Sequence, residues 1–391
     1  MNRQNDLAKR SALKVLIGGM LGMVVAMGIG RFSYTPVLPL MLRDLGISNS
    51  LAGWLATHNY LGYLVGALLC TMAPQLLRNR LVTGGALLVC ITSTAFMGMT
   101  DTSLIWGILR FASGFASAIL FLVISAEVAE TLAQSTLSHW LGGLYAGIGL
   151  GIALSGLLVP WLDQLGGWSG AWIGIGGFAL LLSVLGLALG RQRADINPAT
   201  FTRTKQSSLL HNLWPLATAY FMEGLGYVVT ATFIVAIIAT TPGLEPYAPY
   251  SWVAVGIAAI PSTMVWPLLA RRIGNKPALL AAYILQAIGI LVSINATTVL
   301  AVLFAAVSFG GTFLGIVVLT LAEGNRRCPA DSRRAAALLT TGFSLGQIFG
   351  PAIAGILADL QSGFSLPLLL AAGCVITGGL FILFDRTYTT P

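Results

Sequence analysis

Residues 191–212, RQRADINPATFTRTKQSSLLHN, form the longest polar stretch in a chain of 391 residues that is 56% hydrophobic and only 9% charged. An ordinary soluble domain is about 25% charged, so this chain carries more apolar surface than a water-soluble fold can hide. Outward from 191–212, six apolar runs of roughly 20 residues, the length that crosses a hydrocarbon core, precede it and six follow. Their centres lie near Val25, Leu61, Leu88, Phe115, Ile152 and Leu181, then Val228, Ala258, Ile288, Gly311, Ile348 and Val375. Lipid offers no partner to a backbone amide, so such segments are helices or a closed barrel. Continuous apolarity without alternation selects helices. The expectation is an all-α integral membrane protein of twelve transmembrane helices in two pseudo-symmetric six-helix bundles, residues 1–190 and 213–391, joined by a cytoplasmic linker at 191–212.

The formal charge of +8 is explained by where the basic residues fall. With the N-terminus inside, the inner loops and tails collect Arg3, Lys9, Arg10, Lys14, Arg78, Arg80, Arg191, Arg193, Arg203, Lys205, Arg271, Arg272, Lys276, Arg326, Arg327, Arg333, Arg334 and Arg386, and the outer loops only Arg43. That asymmetry is the positive-inside pattern, which predicts both termini in the cytoplasm and leaves nucleic acid an unnecessary partner. The first segment begins basic, as a signal peptide does, but its apolar stretch is longer and lacks a small-residue cleavage site, so it is expected to be retained. Cys70, Cys90, Cys328 and Cys374 show no paired spacing, hence neither a disulfide framework nor a metal site is expected. No cofactor is implied.

The halves overlay with a shift of 196 to 199 residues, a test for internal duplication. MGIGRFSYT from Met27 falls on EGLGYVVTA from Glu223, Trp54 on Trp252, and ISAE ending at Glu127 on TLAE ending at Glu323. GIGLGIALSG from Gly147 falls on GQIFGPAIAG from Gly346, with three glycines in register. GIGLGIALSG loosely resembles a dinucleotide-binding turn, but no strand precedes it, and small residues at this spacing serve close helix packing. Gly147, Gly151, Gly346 and Gly350 are therefore expected at helix contacts or gates, and Pro351 to bend its helix. Trp54, Trp106, Trp161, Trp168, Trp172 and Trp252 gather at the expected outer face and read as interfacial anchors.

Three charges lie well inside apolar segments: Arg31, Arg110 and Glu223. Each costs about 2.5 to 3.5 kcal/mol at the membrane centre on insertion scales, so each should face protein or water. At 1.5 Å rise per residue, Arg31 and Arg110 fall in the outer half and Glu223 near the middle. Tyr220, Glu223, Tyr227 and Thr230 form one helical stripe, Arg110, Ser113 and Ser117 another, and Arg31 a shorter one with Tyr34 and Thr35. Asn59, beside His58 and Tyr60, and Gln347, in line with Thr340 and Ser344, are further polar groups available to a central cavity between the halves. His58 itself reads as a hydrogen-bonded core group. Two cations against one anion favour an anionic or electron-rich solute, or a Glu223 that exchanges a proton as an arginine moves toward and away from it.

Taken together, the segment count, the basic linker and the duplicated halves resemble the major facilitator superfamily across essentially the whole chain. RFASGFASA from Arg110 is similar to the superfamily's fourth-helix pattern. GQIFGPAIAG is similar to the glycine–proline pattern of exporters. LARRIGNKP from Leu269 resembles the signature loop, with Arg271 where an aspartate is usual, while its first-half counterpart MAPQLLRNR has lost most of that pattern. GIGRFSYTPVLPLM, NYLGYLVGALL and EGLGYVVTATF more narrowly resemble the bacterial YbfB/YjiJ-type branch. The resemblance implies a monomeric secondary transporter in the bacterial inner membrane, handling a small-molecule substrate. Proton coupling through Glu223 and Arg31 and a cavity of Arg31, Tyr34, Asn59, Arg110, Tyr220, Tyr227 and Gln347 are the expectation, with export favoured by the glycine–proline pattern. Uptake or uniport of a carboxylate on Arg31 is the alternative. A sensor or scaffold would call for a partner-binding extension, which the short termini do not offer. A membrane enzyme would need nucleophile, base and orienting group at motif spacing, and none cluster so.

Overall fold

The computed structural model describes residues 2–135, 137, 140–189 and 207–387. The linker expected at 191–212 lies largely outside them. The architecture is all helical, and among the described residues ten stretches are long and apolar enough to cross a membrane. Large aliphatic side chains such as Leu81, Leu300 and Ile257 are exposed on the perimeter, as a lipid-facing surface allows, while the interior mixes large apolar side chains such as Trp172, Trp252 and Phe233 with small and hydroxyl residues.

The first apolar segment is interrupted at its middle. α1 (Asn2–Met23) runs into a π-helical turn (Val24–Ile29), then a non-helical turn, then α2 (Tyr34–Leu45). The wide turn is closed by bonds from Gly30 N to Val25 O (2.9 Å) and Phe32 N to Met27 O (3.0 Å). Pro36 has no N–H to return to the Phe32 carbonyl, so the helix cannot continue straight through. Arg31 sits at this break.

Then follow α3 (Asn49–Met72), α4 (Arg80–Phe96), α5 (Ser103–Ala133) and α6 (Leu141–Leu189). Ser48 Oγ caps α3 by accepting from Leu51 N (3.1 Å), and Asn79 Oδ1 caps α4 by accepting from Leu81 N (2.9 Å). α3 is absent from the ten strongly apolar stretches, because His58, Asn59 and two tyrosines dilute it. α6 is two helices joined at Gly166 and Gly167, whose φ of 61° only glycine adopts freely. The chain folds back there, since the Leu162 side chain lies against Gly174. The second half contains α7 (Ser207–Ala239), α8 (Ala248–Ile273), α9 (Asn275–Ile294), α10 (Val299–Arg327), α11 (Ser332–Leu360) and α12 (Ser365–Phe384).

The sequence repeat reappears as repeated contacts. Gly114 of α5 lies against the carbonyl of Asn59 on α3, and Gly310 of α10 lies against the carbonyl of Val255 on α8; both residues of the second pair stand 196 positions after those of the first. A side chain at either glycine would drive the helices apart. Among the described residues the halves meet at two repeat-related seams, α6 on α8 and α11 on α3, and also where α2 packs on α7. In the two seams Gly156 lies against the carbonyl of Pro249 and Gly355 against that of Asn49.

The tryptophans divide, contrary to the expectation that all six are anchors. Trp54 and Trp161 are exposed, but Trp106, Trp172 and Trp252 are buried. Their indole N–H groups reach Met97 O (3.0 Å), Met41 Sδ (3.5 Å) and Ser155 Oγ (3.2 Å). A buried indole with a satisfied N–H is a packing element, and Trp252 with Ser155 ties α8 to α6.

Candidate functional site

The break in the first segment creates the site. The carbonyls of Gly30 and Arg31 turn to side chains. Ser113 Oγ donates to Gly30 O (2.7 Å), as do Asn59 Nδ2 (3.4 Å) and Arg110 Nη1 (3.5 Å), while Arg110 Nη2 donates to Arg31 O (3.4 Å). Asn59 also donates to the carbonyl of Arg110 (3.0 Å). The Arg110 guanidinium lies 4.6 Å from the centroid of the Tyr34 ring, and Tyr34 Oη donates to Ala52 O (2.9 Å). Arg110, only 3% exposed, thus braces the turn that follows the π-helical stretch.

Arg31 points across the seam. Its Nη2 donates to Gln347 Oε1 of α11 (2.8 Å), and Gln347 Nε2 in turn meets Tyr227 Oη of α7. The guanidinium lies 4.2 Å from the ring centroid of Tyr63 and 4.6 Å from that of Tyr60. Such cation–π contacts are worth about 0.5 to 2 kcal/mol each and hold the cation without neutralising it. Its Nε has no hydrogen-bond partner. Beside it runs a column of rings: Tyr220 on Phe343 (4.3 Å), Phe343 on Tyr227 (5.3 Å), Tyr227 on Phe313 (6.0 Å) and Phe313 on Phe309 (5.2 Å).

Glu223 faces elsewhere, into the space between α7, α9 and α10. Its Oε1 accepts from Gln286 Nε2 (2.6 Å), whose Oε1 accepts from Thr312 Oγ1 (2.8 Å). Glu223 is 1% exposed and its Oε2 has no hydrogen-bond partner. Arg31 and Glu223 do not pair: a neutral amide holds each. Arg31, Gln347 and Tyr227 are therefore brought together, Tyr34, Asn59 and Arg110 surround the break, Tyr220 joins the ring column, and Glu223 bonds to α9 instead. Gln286, Thr312, Tyr63 and the phenylalanines are additional members. The one signal for Gln286 is that it is the sole side-chain amide within the apolar body of α9.

Gly147 packs on Met20 and Gly151 on Gly28, joining α6 to the first segment; Gly346 packs on Phe221 and Gly350 on Leu225 and Val228, joining α11 to α7, while the Pro351 carbonyl meets Gly53 of α3. His58 bonds its own helix at Trp54 O (2.7 Å) and is outside the site. A second charge cluster lies at one end of α10. Buried Glu323 binds Arg326 (2.7 Å) and Arg327 (2.8 Å), and Arg327 binds Asp385 (2.8 Å). From the signature-like loop it is Asn275 that reaches Glu323 (3.1 Å), whereas Arg271 is exposed.

The family described as "Uncharacterised MFS-type transporter YbfB" matches residues 23–383. "Uncharacterized transporter YycB" of Bacillus subtilis (strain 168) is 25% identical over 93% of this chain and 91% of its own length. "Putative uncharacterized transporter YgaY" of Escherichia coli (strain K12) is 29% identical over 46% of this chain and 44% of its own. Among solved structures, a mutant of the nucleoside transporter NupG superposes with a TM-score of 0.74 over 97% of this chain and 100% of that one at 14% identity, which speaks to the fold alone. These are transporters and not enzymes, and the chain belongs to the YbfB-type family of MFS-type membrane transporters.

Proposed function

We propose that the chain is a secondary transporter of a small organic solute in the bacterial inner membrane, proton-coupled and working by alternating access between two six-helix bundles, 1–190 and 213–391. Counting α1 with α2 as one crossing and the folded-back α6 as two gives twelve, which keeps both termini on the cytoplasmic side. Rocking would occur about the two repeat-related seams. Glu223 is the proton-titrating group, Arg31 the solute's anchor, and Arg110 the brace of the broken helix. The observation that carries this is Glu223 itself, a buried acid bonded through one oxygen to a neutral amide and open at the other. Export is favoured by the glycine–proline pattern of α11.

The test begins with a thermal-shift screen of purified protein against metabolites and antimicrobials, since binding raises apparent stability. In proteoliposomes an imposed pH gradient should then drive the solute found, and should fail to do so in Glu223→Gln. Undiminished gradient-driven transport by that variant sinks the proton role.

A second reading, uptake or uniport of a carboxylate, is favoured by Arg31 having a neutral partner where an ion pair would otherwise form. It predicts that Arg31→Lys weakens solute binding, because the lysine ammonium cannot reproduce a bidentate fork, while Glu223→Gln spares it.

A further inference from the structure

Outside the seam, the second half contains a cavity of about 20 Å³ lined by Thr230, Ser293, Ala305, Thr241 and neighbouring aliphatic side chains. A space of roughly 10 to 15 Å³ suffices for one water where polar partners exist. Here Ser293 and Thr241 supply hydroxyl oxygens, and the Thr230 Oγ1, 2% exposed, has no hydrogen-bond partner.

The position of this cavity is informative. Thr230 follows Glu223 by seven residues on α7, Ser293 follows Gln286 by seven on α9, and Ala305 precedes Thr312 by seven on the oppositely directed α10. Seven residues are about two helical turns, roughly 10 Å of axial rise. The cavity therefore lies in the same three-helix space as the Glu223, Gln286 and Thr312 cluster, two turns toward the end where Thr241 closes α7. The layer between is made of small residues in close contact, since a Cβ on Gly289 would stand 2.7 Å from Ser308 Cβ, so it passes water only when α9 and α10 part slightly. Facing Glu223 are Gln286 from α9 and, through it, Thr312 from α10; on its own helix Tyr220 and Tyr227 flank it. Among the described residues no basic side chain pairs with it.

We infer that this space is a proton-access route from the outer surface to Glu223, running inside the second half and separate from the solute passage at the seam. A proton passes from outer water to water held by Thr230, Ser293 and Thr241, and then, along water admitted past Gly289 and Ser308 when the helices part, to Glu223 Oε2, converting carboxylate to carboxylic acid. Gln286 and Thr312 hold the other oxygen still. The inference rests on the reading of Glu223 as the proton-titrating group, and the experiment separates the two.

Two measurements on the full-length protein test it without any solute. In intact cells, Thr230→Cys should react with methanethiosulfonate ethylammonium faster than Val307→Cys, which sits on the exposed apolar face of α10. Equal rates, or reaction only in inverted vesicles, overturn the route. In reconstituted membranes, attenuated-total-reflection infrared spectroscopy follows hydrogen-to-deuterium exchange of the carboxylic acid band that Glu223→Gln removes. Thr230→Val and the cavity-filling Ala305→Leu should each slow that exchange about tenfold, near the worth of one hydrogen bond. Unchanged exchange in both overturns the route. Absence of any band lost in Glu223→Gln between acid and neutral pH removes the underlying proton role instead.

Discussion

Asp359, at the C-terminal end of α11, accepts hydrogen bonds from Asn49 N (3.0 Å), Asn49 Nδ2 (3.0 Å), Ser50 N (2.8 Å) and Ser50 Oγ (2.5 Å) at the start of α3. A residue of one half thus caps a helix of the other, at the end proposed to face outward. Losing a helix cap costs about 0.5 to 2 kcal/mol, and a carboxylate at a helix N-terminus adds about 0.3 to 1 kcal/mol. The cluster is exposed, so water recovers part of each term. A net of about 1.5 kcal/mol remains, which is about tenfold in an equilibrium. Asp359→Ala should therefore raise the outer-open population about tenfold. Thr57, which donates to Ile348 O (2.8 Å) deeper in the same seam, reports it: in a Thr57→Cys background, labelling by an impermeant thiol reagent from outside should accelerate by that factor. An unchanged rate in a protein with intact melting behaviour would refute the claim that this cap holds the mouth shut.

Gly114→Val pushes a branched side chain into the Asn59 carbonyl. It should lower the melting temperature in detergent, with a cost of about 1 to 3 kcal/mol from overpacking. Arg327→Met removes the cation shared by Glu323 and Asp385 and takes this ion pair from buried Asp385, while Glu323 keeps Arg326 and Asn275. Breaking such a pair costs about 3 to 5 kcal/mol, so loss of monodisperse protein on gel filtration is expected. Gln347→Glu puts a carboxylate against Arg31, and charge-assisted bonds are about twice as strong as neutral ones. Melting temperature should rise, while thermal-shift responses to carboxylate solutes disappear.

The segment pattern was legible because lipid demands long apolar helices, and the repeat because glycines mark contacts that tolerate no side chain. Arg31, Arg110 and Glu223 were legible for the same reason: charge in hydrocarbon is conspicuous. What they touch was not. The Gln286 and Thr312 partners of Glu223 come from helices more than 60 residues away, with no spacing rule to connect them. The π turn before Arg31 lies where Gly28 meets Gly151 of α6, a tertiary contact with no local spacing signal. The burial of Trp106, Trp172 and Trp252 was not legible because a tryptophan near a helix end looks the same in sequence whether its indole meets a headgroup or a buried acceptor.

The order in which the two seams can form has a consequence for biosynthesis. Chains are made from the N-terminus and their units tend to fold in that order, so α3 and α5 can pack around Gly114 while later helices are still on the ribosome. The α3 seam, however, needs Ile348, Pro351, Ala352 and Gly355 of α11, which emerge almost last. The helix with a diluted apolar face is thus the one kept waiting, and nascent α3 must be tolerated by the membrane, or sheltered by an insertion chaperone, until its partner arrives.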